Sequence, residues 1–357
     1  MLDSGRYYRL SRFAMLESTV DGLVLSSPLS SRRFPVKSET VFRLLSLLSR
    51  RAIQVHEALD CSKPAARPIL RTFFAALQDA NLLTVVDADG NTRDRTDRLA
   101  HWELHDLLFH CRSRAGRIQN HLGGTFRFKG VLDDEPPIRP AADACAFRLP
   151  RPGLDFEAAC DSVVSEVLDR RRSARSSETL TIEQISELLY RCCRVLETVD
   201  DSAGRHVHKA YPSGGALHPL ETYLLVNACE GLTAGLYRYC GLTHALETVR
   251  ALDDGGDRLL DDALFSAGGM RDRPAVLAVI SARFRRTAWK YEGIAYRLML
   301  LEAGALMQTM CVVSESLGIA CCALGCGNSD LFSELAGSDY YMETSIAELI
   351  LGGRVPQ

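Results

Sequence analysis

The longest apolar pattern in the chain runs from Thr287 to Leu317. Leu298, Leu301, Ala305, Met310, Val313 and Leu317 mark one stripe, and Ile294, Leu300, Ala303, Leu306, Met307 and Val312 fill most of the remaining circumference. A helix that is apolar nearly all round belongs in a core. The spacing predicts a single helix, about 40 Å long at about 1.5 Å per residue. Arg297, Glu302 and Glu315 interrupt it, so no uncharged run reaches the roughly 18 residues of a membrane span. Gly304 in its interior should cost about 1 kcal/mol against Ala, and close approach of another backbone or helix is the expected return. Lys290 and Tyr291 fall at the predicted first turn. A cation there opposes the helix dipole. Burial would drive the amine toward its neutral, basic form; an exposed Lys beside a half-buried Tyr is the plainer alternative.

Three shorter amphipathic patterns come earlier: Phe42–Arg51, Val55–Leu59, and a third opened by Pro68 and running from Ile69, where a missing N–H costs little. Leu82–Val86 followed by Asp89-Gly90 reads as a strand and tight turn. Three helices and a hairpin predict a winged-helix-like unit over residues 1–98. DNA reading needs a basic recognition helix, and Ile69–Ala80 offers only Arg71. Peptide or protein docking, or a purely structural role, is the reading that remains. His101–Arg117 predicts one more amphipathic helix; His101 and His105 are four apart, but no carboxylate or Cys cluster follows at metal spacing, and no metal is expected. The Pro-rich run Asp133–Asp143 and Arg148–Gly153 read as a linker, so 99–153 is helix plus linker and 154–357 a second domain.

In that second part, a helix is predicted over Asp155–Arg172, ending in an Arg- and Ser-rich turn, with Thr181 as the cap of the next helix. Tyr211–Pro219 is a rigid, side-chain-poor loop whose backbone N–H groups can approach a flat ligand. Strands follow at Thr222–Val226, Gly235–Tyr239 and Ala275–Phe284, the last a continuous apolar run that predicts burial on both faces. After the long helix come a short strand and Gly-rich loop over Gly318–Asp330, a short helix at Leu331–Leu335, and a last strand at Ser345–Leu351. No Walker or GxGxxG pattern occurs.

Composition changes the picture little. The net charge of −3 over 357 residues carries no global basic surface for nucleic acid. The start of the chain has no uninterrupted apolar segment and carries Asp3, Arg6, Arg9 and Arg12, which predicts no signal peptide and a cytoplasmic protein. The 12 cysteines contain no CxxC pair and are expected to be reduced core thiols.

The ordered set Arg171-Arg172-Ser173-Ala174-Arg175, Tyr211–Pro219 with Glu221 and Tyr223, Gly235–Tyr239, and Lys290-Tyr291, Tyr296-Arg297, Glu302-Ala303-Gly304 and Gln308 resembles the nitroreductase-like flavoproteins. Within them it is similar to the SagB-type dehydrogenases, the azoline oxidases of thiazole- and oxazole-modified peptide biosynthesis. Where that family has Gly-His in the helix, this chain has Gly304-Ala305, which reads as a packing change.

The resemblance implies an α+β nitroreductase-like fold, a mixed β-sheet flanked by helices, with FMN bound between the subunits of a homodimer. Arg171, Arg172, Ser173 and Arg175 would hold the phosphate and ribityl end. Pro212, Ser213, Gly214 and Gly215 would lie against the isoalloxazine, and Arg354 would be a further phosphate ligand. Gly325 and Cys326 would present backbone N–H near the reacting face, and Gln308 belongs to the same cofactor set. Lys290 and Tyr291 match the family's catalytic pair, with neutral lysine as the base. The implied partners are an azoline-containing peptide, a cyclodehydratase or carrier protein, and O2 as electron acceptor, with no nucleic acid and no membrane. A generic NAD(P)H-dependent FMN reductase of nitroaromatics or quinones, and a non-catalytic flavin-binding scaffold subunit, are the alternatives.

Overall fold

The computed structural model describes residues 5–60, 64–96, 99–113, 118, 120–121, 123–140, 146–152, 164–201, 204–268 and 270–354. Contacts divide the chain into two units, Met1–Thr125 and Phe126–Gln357.

In the first unit, strand β1 (Tyr7–Leu10) precedes a meander of β2 (Met15–Thr19), β3 (Gly22–Ser26) and β4 (Arg33–Pro35). Then come α1 (Glu39–Arg50), α2 (Val55–Asp60), α3 (Arg67–Asp79) and β5 (Leu83–Val86), which pairs antiparallel with β1. The three predicted helices and the strand are all present, and a single bridge from Val86 to Thr92 closes the turn at Asp89-Gly90. Leu44, Leu48, Leu70, Phe74 and Leu77 bury their side chains on Tyr8 and Ile53, which ties the helices to β1. The helices α4 (Arg93–Thr96) and α5 (Leu104–Arg112) follow. His101 lies before α5 rather than one turn from His105 on it, and its ring packs on Trp102.

The second unit is built on a seven-stranded sheet. Its chain order is β6 (Ala146–Arg148), α6 (Val164–Arg170), β7 (Leu180–Thr181), α7 (Ile182–Cys193), β8 (Glu197–Asp201), β9 (Gly204–His208), β10 (Leu220–Val226), β11 (Cys229–Glu230), β12 (Gly235–Cys240), β13 (Ala245–Ala251), α8 (Asp254–Ala267) and β14 (Val276–Arg283). It continues with α9 (Phe284–Ala288), α10 (Ala295–Ser316), β15 (Ile319–Leu324), α11 (Ser329–Ala336) and β16 (Glu343–Gly353). The sheet order is β15-β16-β14-β10-β12-β13-β6. Among the described residues its pairings are antiparallel, and the parallel pairing is confined to β7 and β11.

Alternation along β14 shows why the fold has three layers. Val276, Ala278, Ile280 and Ala282 face the α7 and α10 side, with Leu188, Met299, Leu306 and Met310. Leu277 and Val279 face the α8 and α11 side, with Leu259, Leu331 and Phe332. All eight β14 residues are buried, as expected of a strand covered on both faces. The cap predicted at Thr181 is a capping box: Gln184 N donates to Thr181 Oγ1 at 3.3 Å, and Thr181 N donates to Gln184 Oε1 at 3.0 Å. The helix predicted over 155–172 is seen as α6; residues 153–163 fall outside the described set.

One expectation is corrected. The long helix is not continuous: α9 ends at Ala288 and α10 begins at Ala295, so Lys290 and Tyr291 lie in the break and not on the first turn. The physical reason is a strap formed by residues 126–137, the stretch whose prolines read as linker. Phe126 N donates to the Lys290 carbonyl (3.2 Å), the Trp289 indole donates to the Leu132 carbonyl (2.8 Å), and Arg127 pairs with Glu292. A carbonyl bonded to the strap has left the helical i to i+4 ladder. Gly304 gains no close neighbour from within its own chain. A Cβ there would meet nothing within 4 Å in this chain. With Leu301 and Gln308 it lies on an exposed strip of α10, whose opposite face (Met299, Ala303, Leu306, Met310) is core. Ala295–Ser316 is long and apolar enough to cross a membrane by length and composition alone. Here it carries two buried carboxylates, Glu302 and Glu315, each bonded inside the unit.

Candidate active site

Antiparallel register decides what meets at each end of the sheet. Leu220 at the start of β10 pairs with Ala282 near the end of β14, Arg283 pairs with Glu343 at the start of β16, and Leu324 at the end of β15 pairs with Glu348. The Tyr211–Pro219 loop, the Lys290–Tyr291 break and the Gly325–Cys326 loop therefore leave the sheet at the same end.

The loop is wound tightly. Gly215, Ala216 and His218 have φ of 67°, 56° and 44°, a region costly for residues with a Cβ. Ser213 holds it: its hydroxyl donates to a carboxylate oxygen of Glu302 on α10 and accepts from His218 N at 2.9 Å. Glu302 Oε1 lies 3.6 Å from His218 Nδ1, and both side chains are almost fully buried. Tyr211 packs edge-on against the His218 ring (5.3 Å between centroids), and burial, reinforced by the Glu302 charge, pushes its hydroxyl well above its ordinary pKa. The glycines are explained by neighbours in the same chain. A Cβ on Gly214 would sit 3.1 Å from Leu298, and one on Gly215 would sit 2.4 Å from the Tyr291 hydroxyl and 3.0 Å from Lys290 Nζ. Lys290 Nζ and Tyr291 Oη thus converge on the Gly215 backbone. Lys290 is half-buried, and its amine faces the rings of Tyr291 (5.4 Å) and Phe126 (5.9 Å).

Beneath this corner, the fully buried Arg286 donates through Nε to the Leu217 carbonyl (3.0 Å). Its terminal nitrogen reaches both Asp134 oxygens (2.9 Å each) and the Glu135 carbonyl (2.7 Å). Arg283 does the same for Pro136 (2.9 Å) and Pro137 (3.3 Å) and pairs with Glu221 at 3.0 Å. Glu302, His218, Arg286 and Asp134 were not singled out as site residues from the sequence. The available signal was Glu302, a carboxylate inside an otherwise apolar helix.

The arginine segment is elsewhere. Ala174 N donates to the Cys321 carbonyl in β15 (3.0 Å), so 171–175 runs beside that strand. Arg175 Nε donates to the Ala267 carbonyl at the C-terminus of α8 (2.7 Å), the end a cation favours. Arg172 bonds carbonyls of its own turn, and the Ser173 carbonyl accepts from Arg175. Among the described residues, no carboxylate pairs with Arg171, Arg172 or Arg175, so a cationic segment with no counter-charge suits a phosphate. Arg354 differs: both its terminal nitrogens are engaged by Glu315 (3.1 and 3.2 Å). Gln308 is exposed on α10, away from the loop-facing Glu302. Glu302 and Glu315 are thirteen residues apart, about 20 Å along the helix axis. The structure thus brings Lys290, Tyr291 and Ser213–Gly215 together, and gathers Arg354 at the far half of α10.

Gly325 and Cys326 are exposed, and a Cβ on Gly325 would meet open space. Next to them, Gly327 lies so close to the Glu348 carboxyl that no Cβ fits. Burial, with a smaller contribution from Asp262, raises Glu348 to about 7. A carboxyl raised in the folded state stabilises below its unfolded pKa of about 4.5, and that contribution is lost as pH rises through about 7. The Tm advantage of wild type over Glu348→Gln should therefore shrink between about pH 5 and 8; a constant difference would show that Glu348 does not titrate there.

Comparison with known proteins adds two matches along the chain. Residues 8–119 match the profile of the cyanobactin oxidase ThcOx, and residues 168–351 match that of the nitroreductase family. A nitroreductase-type protein of Methanocaldococcus jannaschii is 31% identical over 164 residues, covering 45% of this chain and 78% of its own. The trifolitoxin-processing protein TfxB of Rhizobium leguminosarum bv. trifolii is 31% identical over 144 residues, 39% of this chain and 38% of its own. The microcin B17-processing protein McbC of Escherichia coli is 32% identical over 122 residues, 32% of this chain and 42% of its own. The matches thus span about two fifths of the length of the two peptide-processing relatives.

Proposed function

Because this chain belongs to the nitroreductase family, we propose that it is an FMN-dependent oxidase that converts peptide thiazolines or oxazolines to thiazoles or oxazoles. The observation that carries the reading is the convergence of Lys290 Nζ and Tyr291 Oη on the Gly215 backbone. The profile match of residues 8–119 to a cyanobactin oxidase, and the likeness to two proteins that process peptide toxins, support a peptide substrate.

Aromatising an azoline removes two electrons and two protons. FMN, when bound, supplies the redox step, accepting the hydride. The chain's own residues supply the rest. Lys290, as the free amine, takes the acidic proton from the carbon next to the ring's carbonyl substituent. Tyr291, its hydroxyl against the same glycine, orients the ring and relays the proton. The Ser213–Glu302 bond holds the loop at the height where both side chains reach it. Arg171, Arg172 and Arg175 would hold the phosphate, with Ser173 as a hydroxyl donor. Residues 1–98 serve as the peptide- or protein-docking domain, 99–153 as helix and connection, and 154–357 as the oxidase domain. The exposed Leu301–Gly304–Gln308 strip is proposed as the contact with a second copy. The two half-sites at opposite ends of α10 would then be completed across a homodimer. A cyclodehydratase or carrier protein would deliver the azoline, and O2 would reoxidise the flavin.

Incubation with a cyclodehydrated peptide tests the activity: a product lighter by two hydrogens per ring is expected, and no mass change with FMN bound would refute the reading. The phosphate assignment is tested separately by Arg171→Ala combined with Arg175→Ala. The double variant should purify largely free of flavin, read as the ratio of visible to ultraviolet absorbance; stoichiometric flavin would remove these residues from the site.

A further inference from the structure

Two thiols away from the Lys290 site are placed to react with each other. Cys311 on α10 and Cys321 on β15 have their sulfur atoms 3.7 Å apart. Cys321 is buried, whereas Cys311 is half-buried. Cys311 lies near Arg171, a guanidinium with no carboxylate partner among the described residues. The bond from Cys321, with Arg171 adding a smaller pull, lowers the Cys311 thiol to about 7, against the opposing effect of burial. Cys321 moves the other way, raised by its partner and by burial. Burial also raises Cys192, Cys193 and Cys229. Among the described thiols with a resolved shift, only Cys311 moves toward thiolate, the nucleophilic form.

We propose that Cys311 and Cys321 are a peroxide-reactive dithiol, with Cys311 attacking and Cys321 resolving, which closes to a disulfide joining α10 to β15. In the first step the Cys311 sulfur attacks hydrogen peroxide. An S–O bond forms, the O–O bond breaks, and the leaving hydroxide takes a proton to become water. The Cys321 sulfur then attacks the sulfenic sulfur, the S–S bond forms, and a second water leaves. Two thiols are oxidised and one peroxide is reduced to two waters. The sulfurs need to close from 3.7 Å to about 2.05 Å. The Cys321 carbonyl also accepts from Ala174 N, so the bridge forms on the residue that holds the 171–175 segment in place. The chemistry requires only added peroxide.

The test uses the reduced full-length protein, a small excess of hydrogen peroxide, and alkylation with iodoacetamide before mass spectrometry. The expected result is a chain lighter by two hydrogens and a linked peptide containing Cys311 and Cys321. Cys311→Ser should lose the link and Cys229→Ser should keep it. Cys321→Ser should leave Cys311 as a sulfenic acid that dimedone traps. A link from Cys311 to Cys192 instead, or oxidation at exposed Cys326 with Cys311 still fully alkylated, would overturn the assignment. The unmodified protein gives a second measurement that needs no variant. Cys311 alkylation should reach its half-maximum below the ordinary thiol value of about 8.5; a midpoint at or above that value would equally contradict the assignment.

Discussion

Lys290→Ala is expected to lower the rate of azoline oxidation by about 10²–10⁴-fold, the range for a positioned general base, while the protein still purifies yellow. The structure separates these outcomes. Lys290 sits in the break between α9 and α10, and its amine lies 3.0 Å from where a Gly215 Cβ would stand and faces two aromatic rings, without a carboxylate partner among the described residues. Removing it breaks no ion pair, and the Phe126 contact to the Lys290 carbonyl is main-chain and survives. A rate within twofold of wild type, measured as two-hydrogen mass loss under excess peptide, would show that another group takes the proton. Lys290→Arg is the companion: a guanidinium stays protonated and offers no free base, so it should be nearly as inactive.

Arg286→Met is expected to cost about 3 kcal/mol, the low end for removing one partner of a buried pair. The low end applies because Asp134 is 45% exposed and can recover water, whereas Arg286 is 2% exposed. The Leu217 and Glu135 carbonyls lose their donor as well. For a unit of this size the change corresponds to a Tm drop of about 6–12 °C. Because Leu217 lies in the glycine loop, activity should fall at temperatures where the variant remains folded. An unchanged Tm would mean that the strap is not what holds the break open.

Both expectations rest on features that differ in how readable they were. The buried strand β14, the helix cap at Thr181 and the helices α1–α3 follow from local pattern and are legible in the sequence. The break at Lys290–Tyr291 does not. The stretch from Thr287 onward has helical periodicity throughout, and what interrupts it is a set of bonds to residues more than 150 positions earlier. A second set of long-range bonds explains the linker reading of Asp133–Asp143. Proline density marks a segment that cannot be a helix, but its carbonyls are free to accept from Arg283 and Arg286. The meander β2–β4 was missed because its strands are short and half-exposed, which blurs the period of two. At the site, the glycines of the Tyr211–Pro219 loop were read as room for a flat ligand; within the chain their space is taken by Leu298, Tyr291 and Lys290. Glu302 stood out as a charge in an apolar helix, yet its partners, Ser213 and His218, needed the fold to be seen.

The most direct test is anaerobic mixing of the FMN-loaded enzyme with an azoline peptide, followed by visible absorbance. The account predicts that the flavin bleaches, that one azoline ring loses two hydrogens for each flavin reduced, and that Lys290→Ala does neither. Bleaching by NADH with none by the azoline peptide would contradict it and identify a reductase instead.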